Sequence, residues 1–154
     1  MEHYHRAINS FIIENHLDAN HIVLMESCHS VQDAAKAING SENDFVKNIC
    51  LLDTNEQLIL AIVKGEDRVS TTRVGKALNI ERPRLATEDE ILALTGFPAG
   101  GVPSFGFKAT FLVDPNVTQL PYIYTGGGSP CSLIRIETIS MLQANSGQVV
   151  RIRK

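Results

Sequence analysis

Residues 44–53 read DFVKNICLLD, an apolar run that a lysine and an asparagine interrupt at its centre. Because side chains alternate along a strand, Lys47 and Asn48 should face opposite sides of a sheet. The turn residues DTNE and the apolar run QLILAIVKG (57–65) follow, so the sequence predicts a β-hairpin here. Burying an unpaired charge is costly, so Lys47 either extends its ammonium to water at the sheet edge or holds it at the mouth of a pocket.

The segments on both sides of this hairpin predict helices and strands without a regular order. Apolar spacing and capping residues predict helices at 4–16, 30–40, 70–79, 87–96 and 138–145, and short strands at 21–25, 109–114, 120–126, 132–137 and 148–154. Ser30 and Gly40 should bound the second helix, and Thr87 with Glu90 should form a capping box. We expect a mixed α/β fold, with a partly antiparallel, barrel-like sheet and flanking helices, as one domain over residues 1–154.

The composition indicates a globular protein. The 154 residues are 44% apolar and 20% charged, with a formal charge of −3 that does not favour a protein coating nucleic acid, although a local basic patch is compatible with it. Cys28, Cys50 and Cys131 fit neither a zinc pattern nor a closed disulfide framework, and we expect free thiols. The polar N-terminus and the shortness of the apolar runs predict a soluble, cytoplasmic protein with no membrane partner.

Two glycine-rich loops are candidate binding elements. In GFPAGGVPSFG (96–106), adjacent glycines would let a ligand approach the backbone and two prolines would stiffen the loop; a long surface connection is an equal alternative. GGGSP (126–130) could offer successive N–H groups to an anion, or could be a turn that needs positive φ.

The histidines form no recognisable catalytic pattern, and no GxSxG, HExxH or P-loop motif is present. His3, His5, His16 and His21 are expected at the surface. His29 stands just before the helix predicted at residue 30, where it either lines a cleft or is a surface residue at the start of that helix.

Four segments, taken in order, resemble the YbaK/prolyl-tRNA-synthetase editing-domain family. They are AAKAINGSENDFVKNICLL (34–52), VSTTRVGKALNIERPRLATEDEILALTG (69–96), TGFPAGGVPSFG (95–106) and YTGGGSPCSLIRI (124–136). The resemblance extends over roughly residues 20–152. It implies a barrel-like mixed sheet and an aminoacyl-tRNA deacylase that needs no metal or organic cofactor. Its substrate would be the acceptor end of a mischarged tRNA, often one for proline, and an aminoacyl-tRNA synthetase is a possible partner.

The resemblance also implies roles for individual residues. Lys47 would be catalytic, gripping the phosphate or ribose of the terminal adenosine, and Asn48 beside it would help to set which amino acid or water is held. The backbone of Gly100 and Gly101, with Pro103, would hold the aminoacyl carbonyl. Further substrate contacts would come from Gly127 and Gly128 on the other side of the pocket, and His29 joins this set as a cleft candidate.

Two features of the sequence depart from this pattern. Phe107 stands where the pattern has a polar residue, which suggests a more apolar pocket. The net negative charge is unusual for a tRNA-binding protein, but local basic clusters could compensate for it: Arg68, Arg73, Lys76, Arg82 and Arg84, and then Arg151, Arg153 and Lys154. Solvated faces are an equal alternative for both clusters.

The sequence therefore predicts a free-standing deacylase that edits mischarged tRNA in trans, as a monomer or a homodimer. The alternative is a non-catalytic module that binds tRNA or a nucleotide and associates with a synthetase. A small-molecule pocket unrelated to tRNA is a third interpretation. Alanine, cysteine, serine and threonine all stay open as the amino acid removed.

Overall fold

The computed structural model describes residues 1–25 and 30–154. The helices are α1 (Glu2–Glu14), α2 (Val31–Ala37), α3 (Thr71–Leu78), α4 (Glu88–Thr95) and α5 (Thr138–Asn145). The strands are β1 (Ala19–Val23), β2 (Val46–Leu52), β3 (Leu58–Lys64), β4 (Arg84–Leu85), β5 (Thr110–Val113), β6 (Tyr122–Gly126), β7 (Ser132–Glu137) and β8 (Gln148–Val149). Within the described ranges, no helix is long and apolar enough to cross a membrane.

The predicted hairpin is confirmed and forms the centre of the larger sheet. Strands β2 and β3 pair antiparallel along their whole length, from Val46 opposite Lys64 to Leu52 opposite Leu58. β3 then pairs in parallel with β5, and β5 with β8, while the short β4 extends β2 on the other edge. A second sheet of three antiparallel strands has the order β1-β7-β6.

The mixed α/β class is confirmed, but the sheet does not close into a barrel. The two sheets meet where Phe45, just before β2, bridges Tyr124 of β6, and the two rings stack with centroids 5.0 Å apart. Each sheet buries one face against the other, and Leu60, Ile62, Ile134 and Ile136 belong to one shared core. Because facing sheets already bury this apolar surface, closure of a single sheet is not needed.

Helices cover the remaining apolar surface from two directions. Helix α1 buries Ile8 and Ile12 in the shared core, and its Phe11 stacks on Phe105 with ring centroids 5.5 Å apart. The opposite face of the larger sheet forms a second core with Val74 of α3 and with Ile152 near the C-terminus.

The caps agree with most of the predicted helix ends. The Ser30 side chain accepts from Asp33 N–H, and Thr87 with Glu90 forms the predicted capping box. The end of α2 differs from the prediction, because the helix stops at Ala37 and Asn39 rather than Gly40 takes the positive φ, at 54°. Asparagine tolerates this left-handed conformation better than most side chains do.

The strand predicted at 148–154 is wrong beyond Val149. The buried carboxylate of Asp114 accepts the N–H groups of Ile152 and Arg153 at 3.0 and 3.2 Å, and it pairs with the Arg153 guanidinium at 2.9 Å. These bonds hold residues 152 and 153 at the Asp114 side chain, away from the pairing of β8 with β5. Burial alone would raise the pKa of Asp114, but hydrogen bonds from the backbone of Ile152, Asn116 and Arg153 and from the Arg153 side chain hold that pKa below its usual range.

We expect Asp114→Asn to lower the free energy of unfolding at pH 7 by about 2–4 kcal/mol, since it weakens a buried, charge-assisted network. A lowered folded-state pKa contributes stability above the unfolded pKa of about 3.9, and that stability is lost as the pH falls toward the folded value. Urea unfolding between pH 7 and pH 3 should therefore show a smaller acid loss in the variant than in the original chain. Asp18→Asn, at an exposed position, is the control, and an equal acid loss in both variants would contradict this role of Asp114.

Candidate functional site

A cleft of about 680 Å³ opens where the start of β2, the end of β6 and the loop 96–106 meet. Lys47, Asn48, Gly100 and Gly126 all line it, so three of the segments singled out in the sequence converge on one cavity. Its wall also includes Cys50, Val102, Tyr124 and Thr125.

Lys47 stands at the boundary between this cleft and a second cavity of about 390 Å³, and its side chain is half-buried. Its Nζ donates to the Asp67 carbonyl oxygen at 3.1 Å, which leaves two of the three ammonium hydrogens for other acceptors. The ammonium therefore lies where the two cavities meet, and its contact with a substrate stays a prediction.

Asn48 faces the opposite side of β2, as the alternation predicts, and its amide joins three segments. Its Nδ2 donates to the Val102 carbonyl at 2.9 Å and to Thr125 Oγ1 at 2.8 Å, and its Oδ1 accepts from Ser104 Oγ at 2.8 Å. Ser104 and Thr125 also bond to each other at 2.7 Å. The amide holds the loop 96–106 and β6 onto β2, and its predicted contact with substrate stays a prediction.

The two glycine loops pack directly on each other. Gly128 N–H donates to the Gly101 carbonyl at 2.8 Å, and a Cβ added to Gly101 would lie 2.6 Å from Ser129 N, far closer than atoms can approach. A Cβ at Gly127 would lie equally close to Leu133 N. These glycines are present because the backbones touch.

This packing changes what the predicted glycines can offer a ligand. Gly101 N–H donates to the Pro98 carbonyl and Gly127 N–H to the Ser132 carbonyl, so together with Gly128 they have no N–H group turned toward an oxyanion. Pro103 is buried with them. Gly100 differs, since it is exposed on the cleft wall with φ at 88°, and no carbonyl in the described part of the chain accepts its N–H.

Two further expectations can be compared with the structure, and a third concerns residues that it does not describe. Cys50 and Cys131 are free and buried, as expected, and burial raises the pKa of the Cys50 thiol to about 11, so it is no nucleophile at neutral pH. Phe107 packs against Phe97 and Phe111 in the core and does not line the cleft. His29 and Cys28 lie outside the described residues.

Two histidines expected at the surface instead contact the second glycine loop. His5 Nε2 lies 2.8 Å from Ser129 Oγ, and His21 Nε2 lies 2.9 Å from the Gly127 carbonyl oxygen. More than a hundred residues separate the partners in each pair along the chain, and no local pattern in the sequence could have revealed these contacts.

The basic residues differ in whether a carboxylate neutralises them or they line the second cavity. Arg84 forms two 2.8 Å bonds with the Glu90 carboxylate, which raise the pKa of the guanidinium. Arg82 donates through Nε to Thr71 Oγ1 at 2.6 Å, at the start of α3. Its charge and those of Arg68, Lys154 and Lys47 surround the second cavity, where Asp67 is the single acidic lining residue among those that the structure describes. This cavity is therefore strongly cationic in a chain whose net charge is negative.

Comparison with known proteins gives consistent results. The aminoacyl-tRNA editing domain family matches residues 25–143. The proline–tRNA ligase of Trichlorobacter lovleyi is 23% identical over 75% of this chain, and that of Geotalea daltonii is 25% identical over 65%. The chain spans only about a fifth of the length of these ligases, 22% and 17%.

Solved structures share the fold over almost the whole chain. One proposed to be a trans-editing enzyme for prolyl-tRNA synthetase superimposes with a TM-score of 0.88 at 24% identity, covering 98% of this chain and 97% of that one. A scaffold protein from computational epitope grafting superimposes with a TM-score of 0.89 at 23% identity, covering 98% and 97%. At these identities the superpositions show the fold alone, whereas the family match covers most of the sequence. The chain thus belongs to the aminoacyl-tRNA editing domain family.

Proposed function

We propose that this protein hydrolyses the ester of a mischarged aminoacyl-tRNA, specifically a tRNA for proline, and that it acts in trans as a single cytoplasmic domain. The observation that carries the proposal is the position of Lys47 between the cleft and the cationic second cavity. A terminal nucleotide bound there would place its phosphate toward the cations and its ester toward the cleft. The proline–tRNA ligase relatives support the choice of tRNA.

Lys47 is the group that would orient the substrate. Its Asp67 bond fixes the ammonium while leaving hydrogens free for a phosphate or ribose oxygen. A cation fixed before binding stabilises charge without having to reorganise, which is the usual source of electrostatic catalysis.

Hydrolysis itself requires water to add to the ester carbonyl and the ribose oxygen to leave with a proton. The developing oxyanion needs a donor, and the N–H of Gly100 on the cleft wall is the backbone group suited to this role. Cys50, the thiol on the wall, stays protonated. We therefore propose that the amine of the substrate or its ribose hydroxyl helps to position the attacking water.

A non-catalytic tRNA-binding module is the second candidate, and one observation favours it. The N–H groups of Gly101, Gly127 and Gly128 are used within the protein, which leaves few donors for an oxyanion. Turnover separates the two functions, because a hydrolase releases amino acid from many equivalents of mischarged tRNA, whereas a binder only protects a stoichiometric amount. Screening tRNA for proline charged with alanine, cysteine, serine or threonine would also identify the amino acid.

We expect Lys47→Ala to lower kcat/KM for deacylation of the preferred mischarged tRNA by about 100-fold, the usual effect of removing one preorganised electrostatic group. The measurement is release of labelled amino acid under single-turnover and multiple-turnover conditions.

Lys64→Ala is the matched control for this prediction. Lys64 lies on the adjacent strand β3 and pairs at 2.9 Å with Glu66, and it does not line either cavity. Its loss should leave deacylation within about twofold of the original rate, since Lys64 lines neither cavity and its ion pair is half-exposed at Glu66. Equal rates for Lys47→Ala and the original chain would remove the basis of the proposed mechanism.

We expect Arg82→Gln to weaken tRNA binding and to reduce the slope of log K against log salt by about 0.7, the value for one phosphate contact on a single strand. Arg84→Gln is the control two residues away, since Glu90 already neutralises that guanidinium. Fluorescence anisotropy between 50 and 300 mM salt, in steps of about 50 mM, would give both slopes. Identical salt slopes for Arg82→Gln and Arg84→Gln would indicate that the tRNA phosphates bind outside the second cavity.

A further inference from the structure

The N-terminal segment contacts the second glycine loop through two histidines. His5 of α1 reaches Ser129 Oγ at 2.8 Å, and His21 of β1 reaches the Gly127 carbonyl at 2.9 Å. Both rings are half-buried, and their centroids lie 4.9 Å apart in an edge-to-face arrangement. We call these two contacts the histidine clamp.

The hydrogen-bond partners determine where His21 carries its proton. A carbonyl can only accept, so His21 Nε2 must be the donor to Gly127. The other ring nitrogen, Nδ1, lies 3.4 Å from Asn9 Nδ2, an amide nitrogen that can only donate. The Nε2 atom of His21 therefore carries a proton, and a proton on Nδ1 would point at the Asn9 amide.

His5 contacts a hydroxyl that is completely buried. Besides His5, Ser129 Oγ contacts Ser132 Oγ at 2.9 Å and Cys131 Sγ at 3.4 Å. Within residues 1–25 and 30–154, the titratable groups near the His5 ring are His21, the amino group of Met1 and Glu2, with Cys131 on the far side of Ser129 Oγ. Burial lowers the pKa of His5, repulsion from the amino group of Met1 and from a protonated His21 lowers it further, and Glu2 only partly opposes these effects. Protonating both rings at a separation of 4.9 Å would therefore be unfavourable.

The clamp acts on the wall of the cleft. The loop that it holds contributes Gly126, Pro130 and Ser132 to that wall. The same loop donates from Gly128 to the Gly101 carbonyl, which connects it to the loop 96–106. A shift of the clamped loop would therefore move both glycine loops together.

We infer that His5 and His21 are positioning residues for the cleft: their clamp holds the second glycine loop, and repulsion between the two rings, 4.9 Å apart, loosens it when both are protonated. Neither ring lines the cleft, so the clamp acts through Gly127 and Ser129. The effect on deacylation rests on the proposed function, whereas the coupling between rings and loop does not.

The first experiment measures this coupling without any activity. In an NMR titration from pH 8 to pH 5, the amide resonances of Gly127 and Gly128 should shift with the same midpoint as the ring resonances of His5 or His21. A midpoint shared with His5 should lie below the ordinary histidine value of about 6.5, because burial disfavours the charge on that ring. Loop amides that do not move with the rings would overturn the inference, even if the protein proves to be an active deacylase.

The second experiment measures the acid limb of deacylation with variants that cannot titrate. Linkage to one proton allows kcat/KM to fall by up to about tenfold per pH unit below the midpoint. The double variant His5→Gln, His21→Gln keeps polar side chains at both contacts but has no titrating ring, so its acid loss on the same substrate should be at least about threefold smaller. His3→Gln, at an exposed position of α1, is the control and should keep the original profile.

The two experiments separate failure of the clamp from failure of the proposed function. Absence of deacylation at every pH, together with loop amides that follow the histidines, would support the clamp and reject the deacylase. An acid limb that is the same in the original chain and in the double variant would assign it to the substrate amine and overturn the role of the histidines in the cleft.

Discussion

The contact between the two glycine loops is the constraint on which the site depends. The backbones at Gly101 and Ser129 approach so closely that the space for a Cβ is already filled, and one hydrogen bond from Gly128 to Gly101 fixes their register. Such contact leaves no room for water, so every buried N–H and carbonyl in it must find a protein partner. The carbonyls of Pro98, Ser132 and Gly101 accept the N–H groups of Gly101, Gly127 and Gly128, so these glycines shape the cleft mainly without facing it.

Asn48 connects this packed pair of loops to the central hairpin. One amide bonds Val102 and Ser104 of the first loop and Thr125 of β6, so a single side chain fixes two segments relative to β2. Lys47, its neighbour, is thereby placed at a fixed distance from the cleft wall. The two polar residues of this apolar strand thus differ in placement, since Asn48 bonds within the protein and Lys47 lines both cavities.

The net charge of −3 does not reveal how the charged residues are distributed over the molecule. Acidic residues neutralise some of the arginines, as Glu90 does for Arg84 and Asp114 for Arg153, and they thereby stabilise the fold. Four other cations, those of Lys47, Arg68, Arg82 and Lys154, surround the second cavity. A negative net charge and a locally cationic site are therefore compatible, and only the local field is relevant to a bound phosphate.

Local patterns in the sequence were sufficient for the hairpin, the capping box at Thr87 and most helix and strand positions, because these depend on residues close together in the chain. The order of the motifs was also sufficient to indicate the editing-domain family and to select Lys47. Only the tertiary structure could show three other features. They are the separation into two facing sheets, the hydrogen bonds of the glycine N–H groups within the protein, and the departure of residues 150–154 from the sheet. The contacts of His5 and His21 required it as well, since each joins segments more than a hundred residues apart whose distance only the complete fold determines.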